Sequence, residues 1–156
     1  MTVKNKDAEY MRRALALANE AFQRGEIPVG ALIVNADGKV VSEGFNLREN
    51  EKNAVAHAEI IAIEKACELL GGWRLKGCTL YVTLEPCPMC AGAIVNSRID
   101  RVVFGAYDMQ AGCCGSVVNF NAYPFNHAFE ITGGVLEEEC RNVLTEFFKV
   151  KRKDTT

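Results

Sequence analysis

Apolar residues recur at helical spacing near the start of the chain. Met11, Ala14, Leu15, Ala18 and Phe22 fall on one face, and Gly25 follows them. The pattern predicts an amphipathic helix over about residues 7–24. Residues 29–35 and 39–44 read as two strands around Asp37-Gly38, a dipeptide that favours a hairpin turn. Ile60, Ile61, Ile63, Ala66 and Leu70 predict a second helix over 57–70, ended by Gly71-Gly72. Residues 79–84 form a strand that runs at once into Glu85-Pro86-Cys87. Pro88 suits the first turn of a third helix, reaching about Ser97. Residues 101–105 make another strand, and Ala111 to Gly115 is a loop rich in glycine and cysteine. A late loop or strand precedes a final helix over 137–149. Strands alternating with helices predict an α/β fold, a central sheet with helices on its faces.

Composition narrows the class. The chain has 156 residues, 49% of them hydrophobic and 24% charged, which fits one domain over residues 1–156 with a core of its own. No stretch approaches the roughly 20 apolar residues of a membrane-spanning helix. The N-terminal region, with Asp7, Glu9 and Glu20 among its bases, has no apolar run of the signal-peptide kind. The expectation is a cytoplasmic protein without a membrane partner. Seven cysteines, an odd number without a secretory signal, argue for reduced thiols. The net charge of −2 does not announce a nucleic-acid binder. Lys149, Lys151, Arg152 and Lys153 cluster after Phe147-Phe148. Taken alone, they read as a solvated helix end, where cations complement the macrodipole.

Two short strings change this picture: His57-Ala58-Glu59 and Pro86-Cys87-Pro88-Met89-Cys90. One histidine and two cysteines supply three ligands that suit zinc, and a catalytic zinc keeps its fourth position open. Thiolates at a helix start are favoured by its positive end. Glu59 then supplies a base near the open position, able to shuttle protons. On an ideal helix, residues i and i+2 point in roughly opposite directions. His57 and Glu59 can therefore serve one site only if it lies over the helix end. H-x-E followed by P-C-x-x-C is the pattern of zinc-dependent nucleobase deaminases.

Longer segments make the resemblance more specific. Glu26-Ile27-Pro28-Val29-Gly30-Ala31, Asn46, Ala56-His57-Ala58-Glu59-Ile60, Thr79 through Cys87, and Met89-Cys90-Ala91-Gly92-Ala93-Ile94 form a first group. Ser97-Arg98-Ile99, Arg101 through Ala106, Asp108, Gly115-Ser116 and Asn126-His127 form a second. Over about residues 8–153 the chain resembles the bacterial tRNA-specific adenosine deaminases of the cytidine deaminase-like superfamily. The resemblance implies a three-layer α/β/α fold with a central mixed five-stranded sheet, a homodimer, and one catalytic Zn²⁺ per subunit. It also implies conversion of a wobble adenosine to inosine in a tRNA anticodon stem-loop, chiefly that of an arginine tRNA. By position, His57, Cys87 and Cys90 would bind zinc and Glu59 would carry protons. Asn46 and the backbone of Ala58 would hold the flipped nucleoside, with Ile27 and Val29 lining an apolar pocket. Asp108, Asn126, His127, Lys151 and Arg152 would meet neighbouring nucleotides.

Apart from the resemblance, several of these residues have plainer readings. Asn46 could be a turn residue, Asp108 a cap, and Asn126-His127 an ordinary loop pair. Phe147-Phe148 read as packing rather than base stacking. Cys67, Cys78 and Cys140 read as core, and Cys113-Cys114 as passive thiols. The chain has Met109-Gln110-Ala111 where many relatives carry a lysine after Asp108. Three rival functions follow. A free-base deaminase, such as one for guanine, would use the same chemistry without Asn126-His127 or a basic C-terminus. A non-catalytic zinc-stabilised module would need a fourth ligand, for which Cys78, Cys113 and His127 are candidates. A thioredoxin-like protein would leave His57 and Glu59 without a role.

Overall fold

Thr2 accepts a hydrogen bond from the Asn5 N–H at 3.3 Å and so caps the first helix, α1 (Val3–Gln23). That cap starts the helix earlier than apolar spacing alone predicts. The computed structural model describes residues 2–154. The expected domain limits at 1 and 156 lie outside the described residues. After α1 come β1 (Gly30–Val34), β2 (Val40–Phe45), α2 (Ala58–Leu70), β3 (Thr79–Leu84) and α3 (Pro88–Ser97). The chain closes with β4 (Arg101–Ala106), a 3₁₀ turn at Phe120–Ala122, β5 (Glu130–Thr132) and α4 (Glu137–Asp154).

The sheet has the order β2-β1-β3-β4-β5. β1 pairs antiparallel with β2 and β3, while β3–β4 and β4–β5 are parallel. This is the expected mixed five-stranded sheet. The Asp37-Gly38 turn is built by Asn35, whose Oδ1 accepts from the N–H groups of Asp37 and Lys39, each at 3.0 Å. Gly38 takes φ +83°, which favours glycine.

Side chains alternate across the strands and supply two cores. Ala31, Ile33, Leu80, Val82, Val102 and Phe104 face a core that includes Ala58, Ala62 and Ile94 of α2 and α3. Leu32, Val34, Tyr81 and Val103 face the other core, with Met11 and Ala14 of α1 and Cys140 of α4. The result is three layers, α/β/α. Small residues let the layers close. A Cβ at Gly30 would collide with the Ala14 carbonyl and Leu17, and one at Gly44 with the Ala58 carbonyl.

Asp7 is only 4% exposed. It accepts from the Tyr81 hydroxyl at 2.7 Å and from Arg101 Nη1 and Nη2 at 3.0 and 2.7 Å. Burial, followed by this bond to Asp7, pushes the Tyr81 phenol above its ordinary value. A buried carboxylate is tolerated because it is paired and hydrogen-bonded. The network ties α1 to β3 and β4 at the end of the sheet where Arg101 begins β4. Among the described residues, no helix is long and apolar enough to cross a membrane.

Candidate active site and metal centre

The two sequence strings sit at two helix starts. His57 is the N-cap of α2 and Cys87 the N-cap of α3, both with extended backbone. β3 delivers Cys87 directly, through Glu85-Pro86, to the carboxyl edge of the sheet, where ligands gather in α/β folds. The i, i+2 geometry is resolved by the cap. His57 stands just outside the helix at ψ 151°, so Glu59 in the first turn can share its site.

His57 Nδ1 lies 3.6 Å from Cys87 Sγ and 3.6 Å from Cys90 Sγ. The three donor atoms lie within 4.8 Å of one another. Tetrahedral zinc with bonds of about 2.3 Å to sulfur and about 2.05 Å to nitrogen separates N and S donors by about 3.6 Å. The donor set therefore fits zinc in both kind and spacing. Among the described residues, no fourth histidine, cysteine or acidic residue joins the cluster. Cys113 Sγ donates instead to the Ala111 carbonyl, and His127 Nε2 lies 2.7 Å from the Ile99 carbonyl. Among the described residues, the cluster thus has three donors where a closed structural zinc site takes four.

The hydrogen bond from Cys90, with a further one to His57, outweighs burial and draws the Cys87 thiol down to about 4. Its bond to Cys87 and burial drive the Cys90 thiol upward, and His57 is raised chiefly by its bond to Cys87. A metal bound there would require Cys90 and His57 to give up the protons that their raised values favour. Glu59 is 4% exposed, and burial raises its carboxyl to about 7. A carboxyl with that value can both accept and donate a proton near neutrality.

These groups open on a cavity of about 620 Å³. Of the residues predicted to bind substrate, Ile27, Val29, Asn46, Asp108 and Lys151 line it, beside His57, Glu59 and Cys87. Asn46 Nδ2 donates to the Ile27 carbonyl at 3.0 Å, and its Oδ1 accepts from the Ala58 N–H at 2.9 Å. The Asn46 amide is therefore oriented by its neighbours, and the Ala58 N–H is engaged with it. Ala58, Asn126, His127 and Arg152 are not among the lining residues, and Asn126 is exposed.

Sequence reasoning missed part of the wall. Arg24 and Arg48 join Lys151 in lining the cavity, beside the acidic Glu26, Glu49, Glu59, Glu85 and Asp108, and Arg48 pairs with Glu49 at 3.7 Å. The Arg24 guanidinium stacks over the Phe45 ring at 5.1 Å. Lys151 Nζ sits 5.6 Å from the Phe147 ring. Glu26 is 1% exposed and accepts from the N–H groups of Glu49 and Asn50 and from the Asn50 side chain. Burial alone would raise its carboxyl, but the Asn50 and Glu49 bonds hold it below the ordinary range. Phe147 packs edge-on against Phe22 at 5.5 Å, as a packing residue should. Phe148 is 46% exposed and lines the cavity, which packing alone did not predict. Repeated aromatic and basic residues on the last helix were the one signal for this wall.

Known proteins with the same features are numerous. The profile of the family described as the cytidine and deoxycytidylate deaminase zinc-binding region matches residues 4–106. The tRNA-specific adenosine deaminase of Bacillus subtilis (strain 168) is 51% identical over 148 residues, covering 94% of this chain and 91% of that one. The enzyme of the same name from Haemophilus influenzae is 48% identical, covering 95% and 86%. A structure solved in studies of A-to-I editing by tRNA:A34 deaminases superposes with a TM-score of 0.84 at 43% identity, over 87% of this chain and 99% of that one. Guanine deaminase from Bacillus subtilis superposes less well, with a TM-score of 0.63 at 40% identity over 74% and 71% of the two chains. With its three-donor cluster, its buried Glu59 and these relatives, the chain belongs to the tRNA-specific adenosine deaminase family, within the zinc-binding cytidine and deoxycytidylate deaminases.

Proposed function

We propose that this chain hydrolyses the wobble adenosine of a tRNA anticodon loop to inosine, releasing ammonia. The observation that carries this reading is a three-donor cluster beside a buried, proton-carrying Glu59, in a chain 51% identical to a tRNA-specific adenosine deaminase. His57, Cys87 and Cys90 would hold one zinc ion per subunit, which when bound supplies a water activated near neutral pH. Glu59 would take one proton from the attacking water and pass it to N1 of the adenine ring as the water oxygen bonds to C6. It would then carry the second water proton to the 6-amino group as the C6–N bond breaks, so that ammonia leaves and the oxygen stays on C6. Ile27 and Val29 exclude bulk water from the base, and Asn46 presents its oriented amide to it. Asn126, His127 and Arg152 would act on neighbouring nucleotides from outside the cavity wall.

A looped-out base costs less to insert than one stacked in a duplex, which suits an anticodon loop. Arg24, Arg48 and Lys151 line the cavity, where phosphates of neighbouring nucleotides would lie. A free base carries no phosphate for them to contact. Reversing Lys151 and Arg152 to glutamate is expected to weaken stem-loop binding and flatten its salt dependence by about 0.7 in logarithmic slope for each phosphate no longer neutralised. Zinc content should not change. Binding isotherms at several salt concentrations check this.

We further propose that the chain works as a cytoplasmic homodimer, the commonest symmetric assembly. Light scattering at micromolar concentration is expected to give twice the 17.2 kDa of one chain. A monomer mass would reject the dimer. Incubated with a stem-loop carrying adenosine at the wobble position, the protein is expected to form inosine. No inosine there would overturn the functional reading.

A further inference from the structure

Glu85 lies between the end of β3 and the N-cap Cys87, yet it is not one of the three metal donors. It is 2% exposed. Its carboxylate takes hydrogen bonds from a single loop, residues 108–116. Oε1 accepts from the Asp108 N–H at 3.0 Å and from the Ser116 hydroxyl. Oε2 accepts from the N–H groups of Cys114 at 3.0 Å and Ser116 at 3.1 Å. The Cys113 N–H donates to the Pro86 carbonyl at 2.9 Å, adding a backbone tie to the same turn. A Cβ at Gly112 would overlap the Glu85 carboxyl, so the loop closes directly on it.

This loop supplies a wall of the cavity through Asp108 and Ala111. The Asp108 carboxylate is also engaged locally, since its Oδ1 accepts from the N–H groups of Gln110 and Ala111 at 3.0 and 3.1 Å. The placement of Asp108 therefore depends on where its own N–H is pinned, and Glu85 pins it. An apolar side chain could fill the Glu85 position, but it would leave three buried or half-buried N–H groups without acceptors.

We propose that Glu85 is a positioning residue, tying the loop that bears Asp108 to the turn that supplies the metal donor Cys87. Donor set and substrate wall then keep one spacing. This rests on the deamination reading for its kinetic consequence, but its structural consequence stands alone. Misplacing a substrate-positioning wall by about 1 Å can cost on the order of 100-fold in rate.

The test uses the zinc-loaded full chain as wild type, Glu85→Gln and Ser116→Ala. Glutamine sets an NH₂ donor against one pair of loop donors. Ser116→Ala removes only the hydroxyl bond and serves if the glutamine variant fails to fold. Amide hydrogen exchange at Asp108, Cys114 and Ser116 is expected to quicken by about tenfold or more in Glu85→Gln, with α1 unchanged and zinc retained. On a wobble-adenosine stem-loop, kcat/KM is expected to fall by about 10–100-fold, mostly through KM. In an Asp108→Ala background, Ser116→Ala should lose most of its effect on KM. Unchanged exchange at the three amides, or an undiminished Ser116→Ala effect without Asp108, would overturn the proposal. A wild type that forms no inosine would defeat the functional reading instead, and the exchange data would still decide whether Glu85 positions the loop.

Discussion

Glu59→Ala is expected to keep zinc and fold and to lose deamination by about 10²–10⁴-fold, the usual contribution of a general acid–base group. The side chain is not among the metal donors, so metal content should match wild type. It is the buried carboxyl facing the cavity whose value, about 7, suits proton carriage. Near-normal turnover would remove Glu59 from the mechanism, and loss of zinc would make it a ligand. Glu59→Gln adds a pH test on metal-free protein. The folded carboxyl titrates near 7 rather than at its ordinary 4.5, so between those values the native state holds a proton that the unfolded chain has lost. The Glu59 contribution to the stability of the metal-free protein is therefore fully present below about 4.5 and is lost as pH rises through about 7. The glutamine variant, which cannot ionise, should lose that decline. Denaturant unfolding at several pH values measures it.

Cys87→Ala is expected to abolish both zinc binding and activity. Of the three donors, Cys87 is the thiol drawn down to about 4, ready to bind as a thiolate. Two ligands cannot enclose a tetrahedral zinc with one open position. A bound metal stabilises the folded state by mass action, so added zinc should raise the melting temperature of wild type and leave the variant where it was. Metal analysis of the two purified proteins, side by side, reads the result. Full zinc retention in Cys87→Ala would remove that residue from the donor set.

How far the chain could be read before its structure depended on distance along it. Local periodicity placed the helices and strands. β3 at Thr79–Leu84 and α3 from Pro88 fall as expected, because a proline start and β-branched residues mark them. α1 begins early because Thr2 caps it, and α4 runs on to Asp154 with Lys151, Arg152 and Lys153 in its last turn, where cations complement the helix dipole. β5 has only three residues, too few to show a period. The metal cluster was legible because H-x-E and P-C-x-x-C compress it into two strings. Glu59 was legible through H-x-E, but the buried carboxylates of Asp7, Glu26 and Glu85 were not. Asp7 meets Arg101 across 94 positions, and Glu85 meets Ser116 across 31. No local pattern foretells that these acidic residues will be drawn inside. Arg24 and Arg48 reached the cavity wall through the fold and carried no sequence signal.

The most direct test sets two substrates against each other. Purified, zinc-loaded protein is given either a wobble-adenosine anticodon stem-loop or free guanine, and ammonia release and inosine formation are followed. The stem-loop is predicted to be deaminated far faster than guanine, with inosine confined to the wobble position. Efficient turnover of free guanine, with no inosine in any wobble-adenosine stem-loop, would contradict the assignment.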